Sequence, residues 1–228
     1  MFLVLAVLSG CAGEPVRTPA TYVVRPDDTL YSIAWRNHLD YRQLAAWNGI
    51  GRDYRIVVGE RLRLHPPAYR QGTPRPAPPR IRRWAGKSTA PRLGTRVVPA
   101  APAAARSAVA AALRWRWPTR HAGPVHRLVN GALLIHGMEG QIVRAAAAGR
   151  VVYTGRGIPG FGLLVIIKHS THVLSAYAYN AAVTVSDGQR VAAGTPIARM
   201  GVNAKGTPML YFEIRADGRT IDPLPYLP

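Results

Sequence analysis

Residues 209–215 read Met-Leu-Tyr-Phe-Glu-Ile-Arg, an alternation that predicts a strand with Met209, Tyr211 and Glu213 on one face. Nitrogen, thiolate or carboxylate donors at alternate positions of such a face would make part of a zinc site. A thioether and a phenol are poor zinc donors, so Met209 and Tyr211 do not supply such a site. The remaining donors do not rebuild one. His121, His126, His136, His169 and His172 fall at a loop, near turns and beside a strand end, with no carboxylate at ligand spacing, which points to surface or core roles. The single Cys, Cys11, excludes an internal disulfide and a Cys-rich zinc site.

The elements around that strand are β throughout from Leu113 onward. Gln141–Ala145, Arg150–Tyr153, Val173–Tyr179 and Ile197–Met200 are short β-prone runs, and Gly162–Lys168 is a nearly continuous apolar run, as in a strand buried on both faces. Asp187-Gly188, Ala193-Gly194 and Asp217-Gly218 mark turns. An antiparallel sheet with little helix is expected.

Residues 21–65 form a separate small unit of order strand, helix, helix, strand. Tyr22-Val23-Val24 opens it, Asp28 is read as the cap of a first helix and Asp40 of a second, Asn48-Gly49 stops the second, and Arg61–Leu64 alternates as a last strand. Between the units, residues 66–112 are rich in Pro, Ala and Arg. From His65 to Leu113 there are eight Arg, one Lys and no acid, about half of the formal net charge of +19. Such a segment cannot bury enough apolar surface to offset its ordering entropy, and an extended, disordered tether is expected. The charge and a pI near 11.3 predict attraction to a polyanion. Nucleic acid is disfavoured because the basic stretch has no interleaved aromatic platform.

Three resemblances add to this reading. YVVRPDDTLYSIAWR, LAAWNGI and YRIVVGERLRL resemble a LysM domain, which implies binding of peptidoglycan glycan in a shallow groove. Carried over by position, that groove is lined by Asp28, Thr29 and Leu30 and by Ile56, Val57 and Val58. Asp27 stands where the family more often has Gly. Trp35, Trp47 and Ile33 are better read as core, because so small a unit needs its bulky apolar groups.

GQIVRAAAAGRVVYTG, GFGLLVIIKHS, LSAYAYN, VSDGQRVAAGTPIARMG and LYFEIRADGRTIDPLPYLP resemble the LytM (lysostaphin-type) metallopeptidase fold, and within it the murein hydrolase activators of the NlpD and EnvC type. The resemblance implies a degenerate peptidase-like domain over residues 113–228. Positions that hold metal ligands or a catalytic His in active members fall on Asn130, Leu134, Tyr179, Met209 and Tyr211, so no metal or other cofactor is expected. Glu213 looks structural in the family. MFLVLAVLSGC at residues 1–11 resembles a lipoprotein signal ending at a lipidated Cys11, with Ala12 favouring the outer membrane; the absence of Lys or Arg before the apolar run points to a start upstream of Met1, the alternative being a chance apolar tail.

Together these imply a non-catalytic, lipid-anchored activator of a periplasmic N-acetylmuramoyl-L-alanine amidase, in which the five changed positions line a partner-binding groove. An active endopeptidase with atypical ligands and an inert wall-binding lipoprotein stay open as alternatives.

Overall fold

The computed structural model describes residues 20–67, 103–120 and 123–228. The lipidation site expected at Cys11, most of the tether and His121 lie outside the described residues.

The first unit is β1 (Thr21–Val23), α1 (Leu30–Arg36), α2 (Tyr41–Asn48) and β2 (Arg61–Arg63), with β1 and β2 paired antiparallel. The cap of α1 differs from the sequence expectation. Thr29, not Asp28, is the N-cap: its hydroxyl accepts from the Ser32 amide while the Ser32 hydroxyl accepts from the Thr29 amide. Asp28 is held elsewhere, accepting from the Tyr22 hydroxyl at 2.7 Å, the Arg25 amide at 2.9 Å and Arg36 Nη2 at 3.1 Å. Asp40 caps α2 as expected, and Gly49 ends it in the left-handed conformation at φ 67°.

Within the stretch expected to be a tether, Ala103–Ala111 forms a helix, α3. Alanine has the highest helix propensity, and this helix is fixed at its end: Ala110 is buried in the main core and its carbonyl accepts from Trp115 Nε1 at 2.8 Å. Residues 115–119, at the start of the region expected to be β from Leu113 onward, form no strand.

The second unit is one antiparallel sheet of ten described strands: β3 (Val125–Arg127), β4 (Leu133–His136), β5 (Ile142–Arg144), β6 (Gly149–Gly155), β7 (Leu163–Lys168), β8 (Val173–Val183), β9 (Arg190–Val191), β10 (Pro196–Met200), β11 (Met209–Ala216) and β12 (Arg219–Ile221). The main order is β3-β4-β11-β8-β7-β6-β9, with β10 bridging β5 and β8. The strand at 209–215 is therefore central, between β4 and β8, and every residue of it is buried.

Alternation along β11 sends its side chains into two different cores. Leu210, Phe212, Ile214 and Ala216 join Val143, Val165, Ile167 and Tyr177 under one face of the sheet. Tyr211 belongs to the other, which is shared between the units: Leu30, Ile33, Ala34, Trp35 and Leu44 form one continuous apolar cluster with Leu164, Ile166, Leu174 and Ala176. A unit as small as the first buries too little apolar surface alone, and the sheet supplies the missing half of its core. Two units joined only by a tether were expected; instead the helices of one cover a face of the other.

Polar contacts fix that docking. Tyr41 donates to the Thr171 carbonyl at 2.8 Å, Arg36 Nη2 to that of Gly157 at 2.8 Å, and Arg42 pairs with Asp217. Gly218 is required twice over. Its φ is 75°, and a Cβ there would meet the Asp40 backbone at 2.6 Å.

Candidate functional site

The register of the sheet gathers the five positions singled out in the sequence. Tyr211 stands opposite Leu134 on β4 and Ala178 on β8, and Met209 stands opposite His136. Tyr179 would face the other core by strict alternation. A left-handed backbone at φ 64° turns it to the Tyr211 side, where the ring centroids lie 6.1 Å apart. That conformation is uncommon for a bulky residue and is held from both ends, by the Tyr179 amide on the Phe161 carbonyl at 3.0 Å and the Gly201 amide on the Tyr179 carbonyl at 2.7 Å. Asn130, on the loop before β4, reaches in to donate to the Tyr211 hydroxyl at 3.3 Å.

The five differ in exposure. Asn130 is exposed, Leu134 and Tyr179 are half-buried, and Met209 and Tyr211 form a buried floor. Two neighbours were not visible in the sequence. Phe161 stacks edge-on against Tyr211 at 5.0 Å, and Asn203 Nδ2 lies 3.3 Å from the Met209 sulfur. Phe161 sits in the run Gly155-Arg-Gly-Ile-Pro-Gly-Phe-Gly162, whose glycines mark a turn but give no hint that its aromatic ring caps the site.

Zinc, which the peptidase fold implies, does not fit these residues. Asn130, Leu134, Met209 and Tyr211 offer an amide, a hydrocarbon, a thioether and a protonated phenol. Burial first and the Glu213 charge second raise the Tyr211 hydroxyl well above the usual tyrosine range, so it donates at 2.7 Å to Glu213 rather than serving as a phenolate ligand. Glu213 is consumed structurally, accepting also from Arg215 Nε at 2.7 Å and from the Thr220 hydroxyl. Among the described residues, no three His, Cys, Asp or Glu side chains gather as a metal centre requires. His126 and His136 stack at 5.3 Å, and His169 is held by Ala148 and Ser175. His172 does meet a carboxylate, Asp217 at 2.7 Å, which sequence spacing did not reveal because 45 residues separate them. The side chains of Asn130, Leu134, Met209 and Tyr211 therefore lack the imidazole nitrogen, thiolate and carboxylate donors of a catalytic zinc.

In the first unit the residues expected to border a glycan groove have separate roles. The Leu30 side chain is wholly buried, Thr29 is the helix cap, and Asp28 is clamped by Tyr22 and Arg36. Asp27 takes the left-handed conformation at φ 65° that a glycine would adopt freely. Val57 and Val58 are 71% and 61% exposed, an apolar loop tip.

Residues 22–64 match the LysM domain model and residues 129–223 that of peptidase family M23, so the class is a LysM domain followed by an M23-type domain. The chain belongs to the NlpD/LppB lipoprotein family. It is 39% identical to the "Lipoprotein NlpD/LppB homolog" of Pseudomonas aeruginosa, over 93% of this chain and 79% of that one. It is 32% identical to the "Murein hydrolase activator NlpD" of Escherichia coli, over 92% and 68%. It is 31% identical to the "Outer membrane antigenic lipoprotein B" of Haemophilus influenzae, over 91% and 64%.

Proposed function

We propose that this protein is a non-catalytic activator of periplasmic N-acetylmuramoyl-L-alanine amidases, acting in cell-wall hydrolysis and daughter-cell separation. Its LysM unit binds the glycan of peptidoglycan through the loops at Asp28–Leu30 and Ile56–Val58. A lipid on Cys11 anchors it to the periplasmic face of the outer membrane. The names of its relatives support the activator and lipoprotein parts of this reading. No helix among the described residues is long and apolar enough to cross a membrane.

One observation carries the proposal: five positions brought together around Tyr211 hold non-ligands, and they make one aromatic and apolar patch. Asn130, Leu134, Tyr179 and Phe161 are its accessible rim, over a floor of Met209 and Tyr211. Activation by such a patch needs no chemistry in this chain. It needs only tighter binding to the open form of the amidase than to the closed one.

The test is stimulation of a purified amidase on isolated peptidoglycan by the full chain, because the sheet shares its core with the LysM unit. Stimulation is expected without release of cross-link cleavage products by the activator alone. Cross-link cleavage without any amidase, together with stoichiometric zinc in the purified protein, would establish an endopeptidase instead. Binding to the wall without stimulation of any amidase would leave only an anchor.

A further inference from the structure

Arg150 on β6 stands directly opposite Lys168 of β7 on one side and Arg190 of β9 on the other. Directly opposed residues leave the same face of a sheet, with neighbouring Cα atoms about 5 Å apart. Three cations therefore run in line across three adjacent strands. Like charges so placed destabilise a sheet, and among the described residues the open depression around the row, about 590 Å³, is lined by Ser170, Thr171 and His169 but by no acid.

The three are not equivalent. The Lys168 ammonium sits among tyrosine faces of the LysM unit, 5.5, 5.0 and 5.2 Å from the ring centroids of Tyr31, Tyr41 and Tyr54, and 3.2 Å from the Tyr31 hydroxyl. Burial and then the neighbouring Arg42 charge lower its proton affinity. Arg150 uses one nitrogen on the Gly188 carbonyl at 3.0 Å, while the exposed Arg190 guanidinium is unpaired among the described residues.

The row also has a particular place. Tyr31 follows Leu30 in α1, and Tyr54 precedes Ile56 by two residues, so two of the three tyrosines around Lys168 adjoin in sequence the two segments assigned above to glycan, while Tyr41 opens α2. We infer that Lys168, Arg150 and Arg190 form a second binding site, for the carboxylates of the peptides carried by the glycan strand that the LysM unit holds. This rests on the glycan-binding reading. Guanidinium groups bind carboxylates in a planar, two-pronged geometry, and Arg150 and Arg190 beside the Lys168 ammonium, at strand spacing, match a short acidic peptide laid across the strands.

The experiment measures binding of the full chain to two soluble probes, a neutral N-acetylglucosamine oligomer and a peptidoglycan fragment of equal glycan length that keeps its peptides. The fragment is expected to bind roughly tenfold more tightly or better, with the excess falling as salt rises. Arg150→Gln with Arg190→Gln should remove the excess and leave the neutral oligomer unaffected, while Arg150→Lys with Arg190→Lys should keep most of it. An excess that is absent, or that survives the Gln pair, overturns the site. So does a Gln pair that loses only affinity for vesicles of anionic phospholipid, which would assign the row to lipid phosphate. Failure of the neutral oligomer to bind overturns the LysM reading itself, whereas intact oligomer binding without a charge-dependent excess overturns this inference alone.

Discussion

The guanidinium of Arg215 lies 3.6 Å from the ring centroid of Trp35, and its Nη1 donates to the carbonyl of the same residue at 2.9 Å. One side chain of the central strand thus grips one residue of the LysM helix by stacking and by hydrogen bond. It simultaneously neutralises the buried Glu213, which in turn holds Tyr211. The patch and the interface between the units are two ends of one polar chain.

Removing Arg215 leaves the Glu213 charge buried without its partner. Arg215→Ala should cost about 3–5 kcal/mol in urea unfolding, the range for breaking a buried ion pair from one side. Arg215→Lys keeps the charge but not the planar stack on Trp35, and should recover only part of the loss.

Gly218→Ala and Gly188→Ala separate backbone strain from close approach. Both residues have positive φ, but nothing lies within 4 Å of a Cβ at Gly188, whereas the Asp40 backbone is 2.6 Å from one at Gly218. Gly188→Ala is expected to cost about 1–2 kcal/mol, the strain of a left-handed residue. Gly218→Ala should cost clearly more, read as a lower denaturant midpoint at unchanged slope.

Stability should fall in mild acid because of His169. Burial lowers its pKa to about 4, and its two nitrogens already serve the Ala148 carbonyl and the Ser175 hydroxyl. Unfolded imidazole titrates near pH 6.5, so between those values the unfolded chain binds the extra proton. The stabilisation is complete above about pH 6.5 and is lost as the pH falls towards 4, by up to about 3 kcal/mol. His169→Gln should flatten that part of a melting-temperature profile. A further loss at lower pH comes from Asp217: burial alone would raise its carboxyl, but hydrogen bonds from His172 and Arg42 outweigh that and hold it below the usual range.

Leu134→Arg places a charge on the half-buried rim of the patch and should abolish amidase stimulation while leaving the melting temperature within a few degrees of the parent. The buried Tyr211 is the wrong position for that test, since a charge there would disturb the Glu213 network as well. Treatment with a metal chelator should leave stimulation by this chain unchanged, measured with an amidase reloaded with its own metal.

The sheet and the LysM order were legible because their signals are local. Leu163–Ile167 are five consecutive apolar residues of one strand, and Gly49, Gly188 and Gly218 all take the left-handed turns their neighbours announced. The aromatic patch was legible only through resemblance, since Asn130 and Tyr211 are 81 residues apart and no periodicity links them. The docking of the units was not legible at all. Trp35 and Arg215 each looked like a part of its own unit, and the first-unit apolar residues seemed spoken for by its own small core. The end of the tether was misread because Pro recurs from Pro66 to Pro102, while the run at Ala103–Ala111 has neither Pro nor Gly to stop a helix.

The exposed tip at Val57 and Val58 belongs to a unit that is fastened to the sheet through Trp35, Arg36, Tyr41 and Arg42. Of these contacts, only Trp35 meets the central strand itself, through Arg215, so a pull applied at that tip would be felt beside Tyr211 by way of that pair.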